Sequence, residues 1–529
     1  MTGGRSSMDA RIAELLDELA RSVHREAPGE WSRGLLSGNA SAMSYSYGVT
    51  YDLPDGTNTR VFPKDYDVLA ELADAVAAAH GWRQVHFEVA CAPSGEVEAT
   101  AFHGAVEPLV GGEGHVAVLD PGYLPAEPGL DQEGPGNAVP AGDPETATAR
   151  LREYLRRFSR LVERSRKPAP AASPAEIERA EQRLGARLPA DLRALYEIAD
   201  GDRDAGIFDG STWLPLDEVV RVHERTRERD WFGWELGWDK TVRDTDPPDT
   251  VRRCTGHPAW IPFAHDHGGN YLAADLAPAR AGRPGQIIRI GRDYGDGPGH
   301  VADSVTTLLG DYLDMLDRGD YSAEPDYLEL LDDRPPRAVA FRILGPEEGP
   351  LDRAELAGSP GLQHLNVNQA GEVDLSALAA VPGLRALHLN RPVTADLAPL
   401  RGLPLERLRV TLSGGDLAPL DSHPTLRSLS LATAGGPVRI SPLRTVPLLH
   451  GLDLSGADVA DLDTLADLPG LRYLALRPDQ WAAFVARPPA LAAVCVKGAT
   501  PLPAVIDWAA GLGLDVTGVL RRSGRVPPH

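Results

Sequence analysis

Cysteine is scarce. The three thiols, Cys91, Cys254 and Cys495, are widely spaced in a chain of 529 residues, which excludes a disulfide framework and a Cys-x-x-Cys metal site and suits a reducing compartment. Lysine is scarce too: the four residues Lys64, Lys167, Lys240 and Lys497 leave arginine to carry nearly all the positive charge. With the heavy use of Ala, Gly and Pro, this bias has the character of a high-GC bacterial genome. No stretch approaches the roughly eighteen consecutive apolar residues that span a bilayer. The opening MTGGRSSMDA lacks an apolar secretion core, so the expectation is a cytoplasmic protein with no membrane partner. Also missing are a Gly-x-Ser-x-Gly elbow, a His-Glu-x-x-His pair and a spaced carboxylate pair. No catalytic residue, cofactor or metal is therefore predicted, and the chain is read as not an enzyme.

The chain carries 53 basic and 76 acidic residues for a net charge of −23. Nucleic acid is disfavoured as a partner, since phosphate neutralisation needs clustered Lys and Arg. An acidic surface prefers a basic protein. Apolar content of 42% with 24% charged residues is that of an ordinary folded chain, and the length calls for three or four units of about 100–200 residues each.

The last third contains a repeat. Leu362-Gln-His-Leu365-Asn-Val367 recurs with first leucines at 384, 405, 426, 449 and 471, a period of 21–23 residues that belongs to a solenoid and builds a binding surface. Val339-Ala-Phe341-Arg-Ile343 reads as a degenerate first repeat and Leu491-Ala-Ala-Val494 as a last one. Asp374-Leu-Ser-Ala-Leu378, Asp396-Leu-Ala-Pro-Leu400 and Asp416-Leu-Ala-Pro-Leu420 follow the strands and resemble the convex turns of bacterial, internalin-like leucine-rich repeats. The asparagine usual in such repeats is replaced by Ala370 and Pro392, so its backbone ladder must be met otherwise. With leucines pointing inward, the residues between them line the concave face: His364, Asn366, Asn368, His388, Asn390, Arg407, Arg409, Ser428, Ser430, Asp453, Tyr473 and Arg477. The first seven are the predicted partner-binding patch, because Arg gives directional paired hydrogen bonds to carboxylates.

Upstream, residues 1–110 read as a small α+β domain: an amphipathic helix over 8–24, an aromatic strand at 44–51, an Asp55-Gly56 turn, a second helix over 67–80 and a hairpin around Pro93-Ser94-Gly95. Residues 111–172 read as a Gly- and Pro-rich linker followed by a charged helix over 145–166. Ser173-Pro174-Ala-Glu176 is a capping box that opens a further α+β domain at 173–325; the repeats occupy 335–529. The fold class is thus multidomain, with two α+β domains and a C-terminal α/β solenoid.

The middle domain carries Leu188-Pro189 with Asp191 and Tyr196, Asp200-Gly201, Trp213-Leu-Pro-Leu-Asp-Glu218, Trp260-Ile-Pro262-Phe263, Asp266, Gly269-Asn270, Asp275, and Val301-Ala-Asp-Ser304. In order and spacing these resemble the SUKH superfamily of Smi/Knr-type cell-wall assembly regulators and bacterial immunity proteins. Leu188, Pro189, Asp200, Gly201, Trp260, Pro262, Phe263, Gly269 and Asp275 have plain structural readings as helix starts, stops and core, while Asp266 and Asn270 are added to the predicted partner-binding residues. His265-Asp266-His267 is a poor chelator, with adjacent ligands and no third imidazole. Gly295-Asp-Gly297-Pro-Gly299 lacks the Lys-Ser/Thr of a P-loop and reads as a turn. The N-terminal unit, with Trp31, Tyr45 to Tyr51, Asp55-Gly56 and Gly81-Trp82, resembles the YezG-like immunity family.

These resemblances imply binding without turnover. The leading expectation is an immunity-type protein that neutralises a toxin domain by steric and electrostatic blocking. The alternative is a regulator or scaffold linked to cell-wall synthesis or signalling.

Overall fold

The computed structural model describes residues 9–41, 45–62, 66–104, 106–109, 114–163, 167–228, 233–331, 340–368, 371–484 and 487–527. Lys64, Val339 and Ala370, named above, and positions 8, 44 and 164–166 of the segments given above lie outside the described residues. The chain divides into two compact units, one of residues 1–123 with 450–529 and the other of residues 124–449. It is multidomain, with mixed sheets and helices. No helix among the described residues is long and apolar enough to cross a membrane.

In the first unit, Ile12, Leu15, Leu16, Leu19 and Val23 form the buried stripe of helix Ala10–Arg25, whose N-terminus is capped by the Asp9 carboxylate accepting from Arg11 N at 2.8 Å. This helix and Tyr66–His80 pack with the alternating apolar residues Leu36, Val49, Tyr51, Phe87 and Val89 of an antiparallel sheet. The sheet orders its strands Asn58–Val61, Tyr45–Asp52, Arg33–Ser41, Gln84–Cys91, Glu96–Phe102 and, at the far edge, Val519–Arg525. That last strand corrects the domain boundary. The repeat region was read as running to residue 529, yet Val519–Arg525 pairs antiparallel with Glu96–Phe102, and Arg522 Nε donates to Asp17 at 2.6 Å. The edge of strand Glu96–Phe102 is satisfied by Val519–Arg525.

The same unit holds the last repeats as three parallel strands, Gly451–Gly456, Tyr473–Leu476 and Ala493–Lys497. The hairpin Val106–Pro108 and Gly114–Val118 adds antiparallel to Ala493–Lys497, so the N-terminal domain does not stop at residue 110. Two residues assigned above to an open concave face, Asp453 and Tyr473, are buried here. Asp453 accepts from Lys497 Nζ at 2.5 Å, and Arg477 donates to the carbonyls of Ser455 and Ala457.

In the second unit, a five-stranded antiparallel sheet orders Gly299–Ala302, Gln286–Gly291, Asn270–Asp275, Trp260–His265 and Thr212–Trp213. Helices Pro174–Leu184, Ala190–Tyr196, Leu216–Thr226 and Val305–Arg318 pack with it around Tyr196, Phe208, Trp213, Ile261, Phe263 and Ile287. The capping box is present: Ser173 N donates to Glu176 Oε2 at 2.7 Å and Glu176 N to Ser173 Oγ at 3.3 Å. The charged helix, Pro144–Leu161, is no spacer. Its stripe Ala147, Leu151, Tyr154 and Phe158 is buried in this domain's core, against Ala190–Tyr196 and Val305–Arg318. Amphipathic periodicity marked the stripe but could not say what covers it.

Asp191 ties that helix down. Its Oδ2 accepts from Thr306 N at 3.1 Å and Thr306 Oγ1 at 2.9 Å, while Asp143 N donates to the same hydroxyl at 3.0 Å. Gly142 passes so close that a Cβ there would sit 2.2 Å from Asp191 Cγ. We predict that Asp191→Ala lowers stability by about 1–3 kcal/mol, the cost of a buried donor left unpaired. The shift of the urea midpoint measures it, and an unchanged midpoint would remove Asp191 from this role.

The second unit continues as a parallel ladder of Phe341–Leu344, His364–Val367, Ala386–Thr394, Arg407–Leu412 and Ser428–Thr433. Leu365, Leu387, Leu408 and Leu429 are fully buried. The aspartates of the second signature open the 3-10 turns between strands: Asp374, Asp396 and Asp416 accept from the N–H two residues on at 2.8, 2.7 and 2.9 Å. Backbone bonds supply the ladder that repeat asparagines would otherwise serve, with Asn368 N on Leu344 O, Ser413 N on Thr394 O and Ala434 N on Leu412 O.

Candidate functional site

The residues that matter are those where the middle domain meets the ladder inside the second unit. Ladder position two, directly after each first leucine, is polar in four successive repeats: Gln363, Arg385, Glu406 and Arg427. Strand spacing stacks these side chains in a column. Gln363 is held twice by one backbone segment of the middle domain, accepting from Asp244 N at 2.7 Å and donating to Asp244 O at 3.1 Å. Glu406 receives Arg253 Nη2 on both carboxylate oxygens at 2.7 Å, and Arg385 Nη1 at 3.3 Å. Arg253 also donates to Val242 O through Nε at 3.0 Å and Nη2 at 2.8 Å, and both partners are buried. Arg427 Nη1 reaches Ala126 O at 3.3 Å.

The patch expected from the sequence lies at ladder positions three and five and does not include this column. The signal was there: charges of alternating sign recurring at the repeat period.

The predicted patch is split as a result. His364 is buried, and it lines a cavity of about 330 Å³ with Arg407 and with Leu236, Lys240, Thr241, Gly295, Asp296 and Phe341. These two residues therefore correct the expectation of one open patch, because the chain's own middle domain lies over them. Ser428 is buried as well. Asn366, Asn368, His388, Asn390 and Arg409 stay together along the strands; Asn390 donates to Asn368, and Arg409 Nη1 lies 3.0 Å from His388 Nε2. A guanidinium only donates, so His388 accepts and is neutral. Burial, then Arg409 and Arg407, push its imidazole down to about 4.

Asp266 and Asn270 lie apart from this group, on the middle domain's hairpin. Asp266 Oδ1 accepts from Gly268 N at 2.7 Å and Asn270 N at 2.9 Å. Asn270 Nδ2 bridges Asp266 and Asp293 at 2.7 and 2.8 Å. Their hydrogen bonds close an exposed loop, away from the strand row with which the sequence grouped them. His267 Nε2 lies 3.0 Å from Thr212 Oγ1.

The family-motif residues build scaffold. Leu188, Trp260 and Phe263 are buried, Pro189 packs beside Gly285, and Pro262 lies within strand Trp260–His265. Asp200 Oδ1 accepts from Leu216 N at 2.8 Å. Gly201, at φ +89°, leaves no room for a side chain, since a Cβ would lie 2.8 Å from Trp213 O; Gly269 also has positive φ, +102°. Asp275 is wholly buried and accepts from Ala277 N and Gln286 Nε2, each at 2.9 Å.

The architecture is an α+β domain joined to a parallel ladder of repeat strands. Residues 171–311 are an SMI1/KNR4 (SUKH) domain, matching the model of the SMI1 / KNR4 family (SUKH-1). The chain is similar to a glucan synthesis regulatory protein of Neurospora crassa, 31% identical over 188 residues, covering 29% of this chain and 35% of that one. It is also similar to the cell wall assembly regulator SMI1 of Saccharomyces cerevisiae, 26% identical over 179 residues, covering 28% and 35%. It thus spans about a third of the length of these relatives. Both are named for cell-wall or glucan-synthesis regulation; neither name mentions a toxin or immunity. A solved internalin C2 from Listeria monocytogenes aligns over 24% of this chain and 56% of its own, at 26% identity and a TM-score of 0.21.

Two predictions follow from this geometry. Glu406→Leu leaves Arg253 buried without its counter-charge and should cost about 3–5 kcal/mol, whereas Arg253→Leu with Glu406→Leu should recover most of that loss. Chemical denaturation of the four-membered cycle measures the coupling, and additive losses refute it. Burial pushes Asp275 up to about 7 against the hydrogen bonds from Ala277 and Gln286. The folded state therefore holds this proton more tightly than the unfolded chain, and the contribution is full below about pH 4 and lost as pH rises to about 7. Thermal melts across that window should show Asp275→Asn flattening the pH dependence, and an unchanged slope would contradict the assignment.

Proposed function

We propose that the chain is a non-enzymatic regulatory binding protein linked to cell-wall synthesis. In it the SUKH domain and an adjoining leucine-rich-repeat solenoid act as one rigid recognition unit. The observation that carries this reading is the similarity of residues 171–311 to a family whose curated relatives are named as cell-wall regulators. The rigidity is supplied by the buried contact of Arg253 with Glu406 and by the paired bonds of Gln363 with Asp244. The surface offered to a protein partner is the strand row of Asn366, Asn368, His388, Asn390 and Arg409, rich in amide and guanidinium donors suited to carboxylates and backbone carbonyls. The immunity-type reading has behind it only the acidic charge and the family resemblance.

Quantitative affinity capture of the full chain from its own cells tests this. Envelope-synthesis proteins should be enriched on the wild type and fall at least about tenfold on the double variant His388→Glu/Arg409→Glu, the loss of one charge-assisted contact at about 1.5–3 kcal/mol. Capture of a toxin domain instead would transfer the protein to the immunity class, and equal capture by the double variant would move the site elsewhere.

A further inference from the structure

The strand row offered to a partner has an apolar end and an acid-free face, and the two together define what it holds. In the ladder register Ile343, Asn366, His388 and Arg409 stand side by side on four consecutive strands. Ile343 and Phe341, two residues before it, are exposed at 50% and 41%, an apolar pair on the first strand. Of the chain's 76 acidic residues, none falls within the strands Phe341–Leu344, His364–Val367, Ala386–Thr394, Arg407–Leu412 and Ser428–Thr433. Arg342, Arg385 and Arg407 each meet a carboxylate of the chain itself, Glu355, Glu406 and Asp239. Arg409 meets none among the described residues. Its Nη1 lies 3.0 Å from His388 Nε2, and none of its nitrogens is both buried and unbonded, so the Nε–Nη2 edge of the guanidinium opens to solvent. Such an edge takes a carboxylate through two parallel hydrogen bonds.

We propose that this row binds an extended peptide segment of a partner protein, laid across the strands with a large apolar side chain against Ile343 and Phe341 and an Asp or Glu carboxylate on Arg409. The proposal rests on the row being the partner surface, as argued above, and names the chemistry that surface selects. Three strand spacings of about 4.8 Å separate Ile343 from Arg409, about 14 Å in all, which an extended chain at about 3.3 Å per residue covers in about four residues. The segment is therefore apolar-x-x-x-acidic. Between its two anchors the Asn366 amide, which both donates and accepts, meets the peptide backbone, and His388, accepting from Arg409 at Nε2, carries its proton on Nδ1. Burial and the charges of Arg409 and Arg407 keep that imidazole neutral until about pH 4, so the guanidinium stays held in place. The chain's net charge of −23 would draw a basic partner overall; this face, with a guanidinium and no acid, selects the opposite.

Selection of a random dodecapeptide display library on the immobilised full chain, followed by fluorescence-anisotropy titration of the enriched peptide, tests the site. Enriched sequences should share an apolar residue and an acidic one about four positions on. Arg409→Gln should weaken the enriched peptide about tenfold or more, the loss of one charge-assisted contact, and Ile343→Ser about fivefold, the loss of a half-buried aliphatic contact, with melting temperatures as the check on folding. Arg409→Glu should lose the enriched peptide and gain the charge-swapped one, in which lysine replaces the acidic residue. No enrichment, enriched sequences without the acid, indifference to Arg409→Gln, or no gain of the swapped peptide would overturn the proposal. Such a failure, with envelope proteins still captured in a His388- and Arg409-dependent way, would leave the regulatory reading standing on a folded epitope. Peptide binding as described, with no envelope protein captured, would uphold the site and sink that reading.

Discussion

The buried contact between Arg253 and Glu406 anchors the second unit, because losing either partner would leave a charge uncompensated away from water. Arg253 Nη2 reaches both oxygens of Glu406, and Nε and Nη2 also donate to the Val242 carbonyl. This seats the segment around residues 239–253 on the first strands of the ladder. Gln363 fixes the register of the contact with two bonds to the backbone of Asp244. The docking buries His364 and places Arg407 in a cavity shared with the middle domain, apart from the row from Asn366 to Arg409.

Within the middle domain, carboxylates serve the fold. Asp191 holds helix Val305–Arg318 against the chain entering Pro144–Leu161, Asp200 caps the backbone at Leu216, and Asp275 closes the turn that follows its strand. These three carboxylates meet backbone or side-chain donors inside the domain, as polar groups withdrawn from water must. The helix Pro144–Leu161 precedes the family-matched segment but shares its core, so the domain as folded is larger than its motif.

Much of this was legible before any coordinates. Leucine period, capping box, Asp-Leu turns and motif order each report a local rule: a repeat distance, a cap, an Asx turn, a helix stop. Where inspection fell short, the missing knowledge was of partners distant in sequence. The stripe of Leu151, Tyr154 and Phe158 announced a buried face and not its cover. The strand Val519–Arg525 carried no mark of pairing with Glu96–Phe102. Asp266 and Asn270 are joined to each other and to Asp293 by hydrogen bonds that close a loop, a link between positions 23 residues apart that no motif announced.

The candidate site divides along the same line. Sequence by itself determined the row of polar residues between inward leucines, since side-chain alternation in a strand follows from backbone geometry alone. Only the tertiary structure decided that His364 and Arg407 line a cavity with residues of the middle domain while Asn390 and Arg409 do not. That choice rests on which surface of one domain meets which repeat of another, and a contact between residues more than a hundred positions apart, such as Arg253 and Glu406, leaves no period or motif in the chain to read.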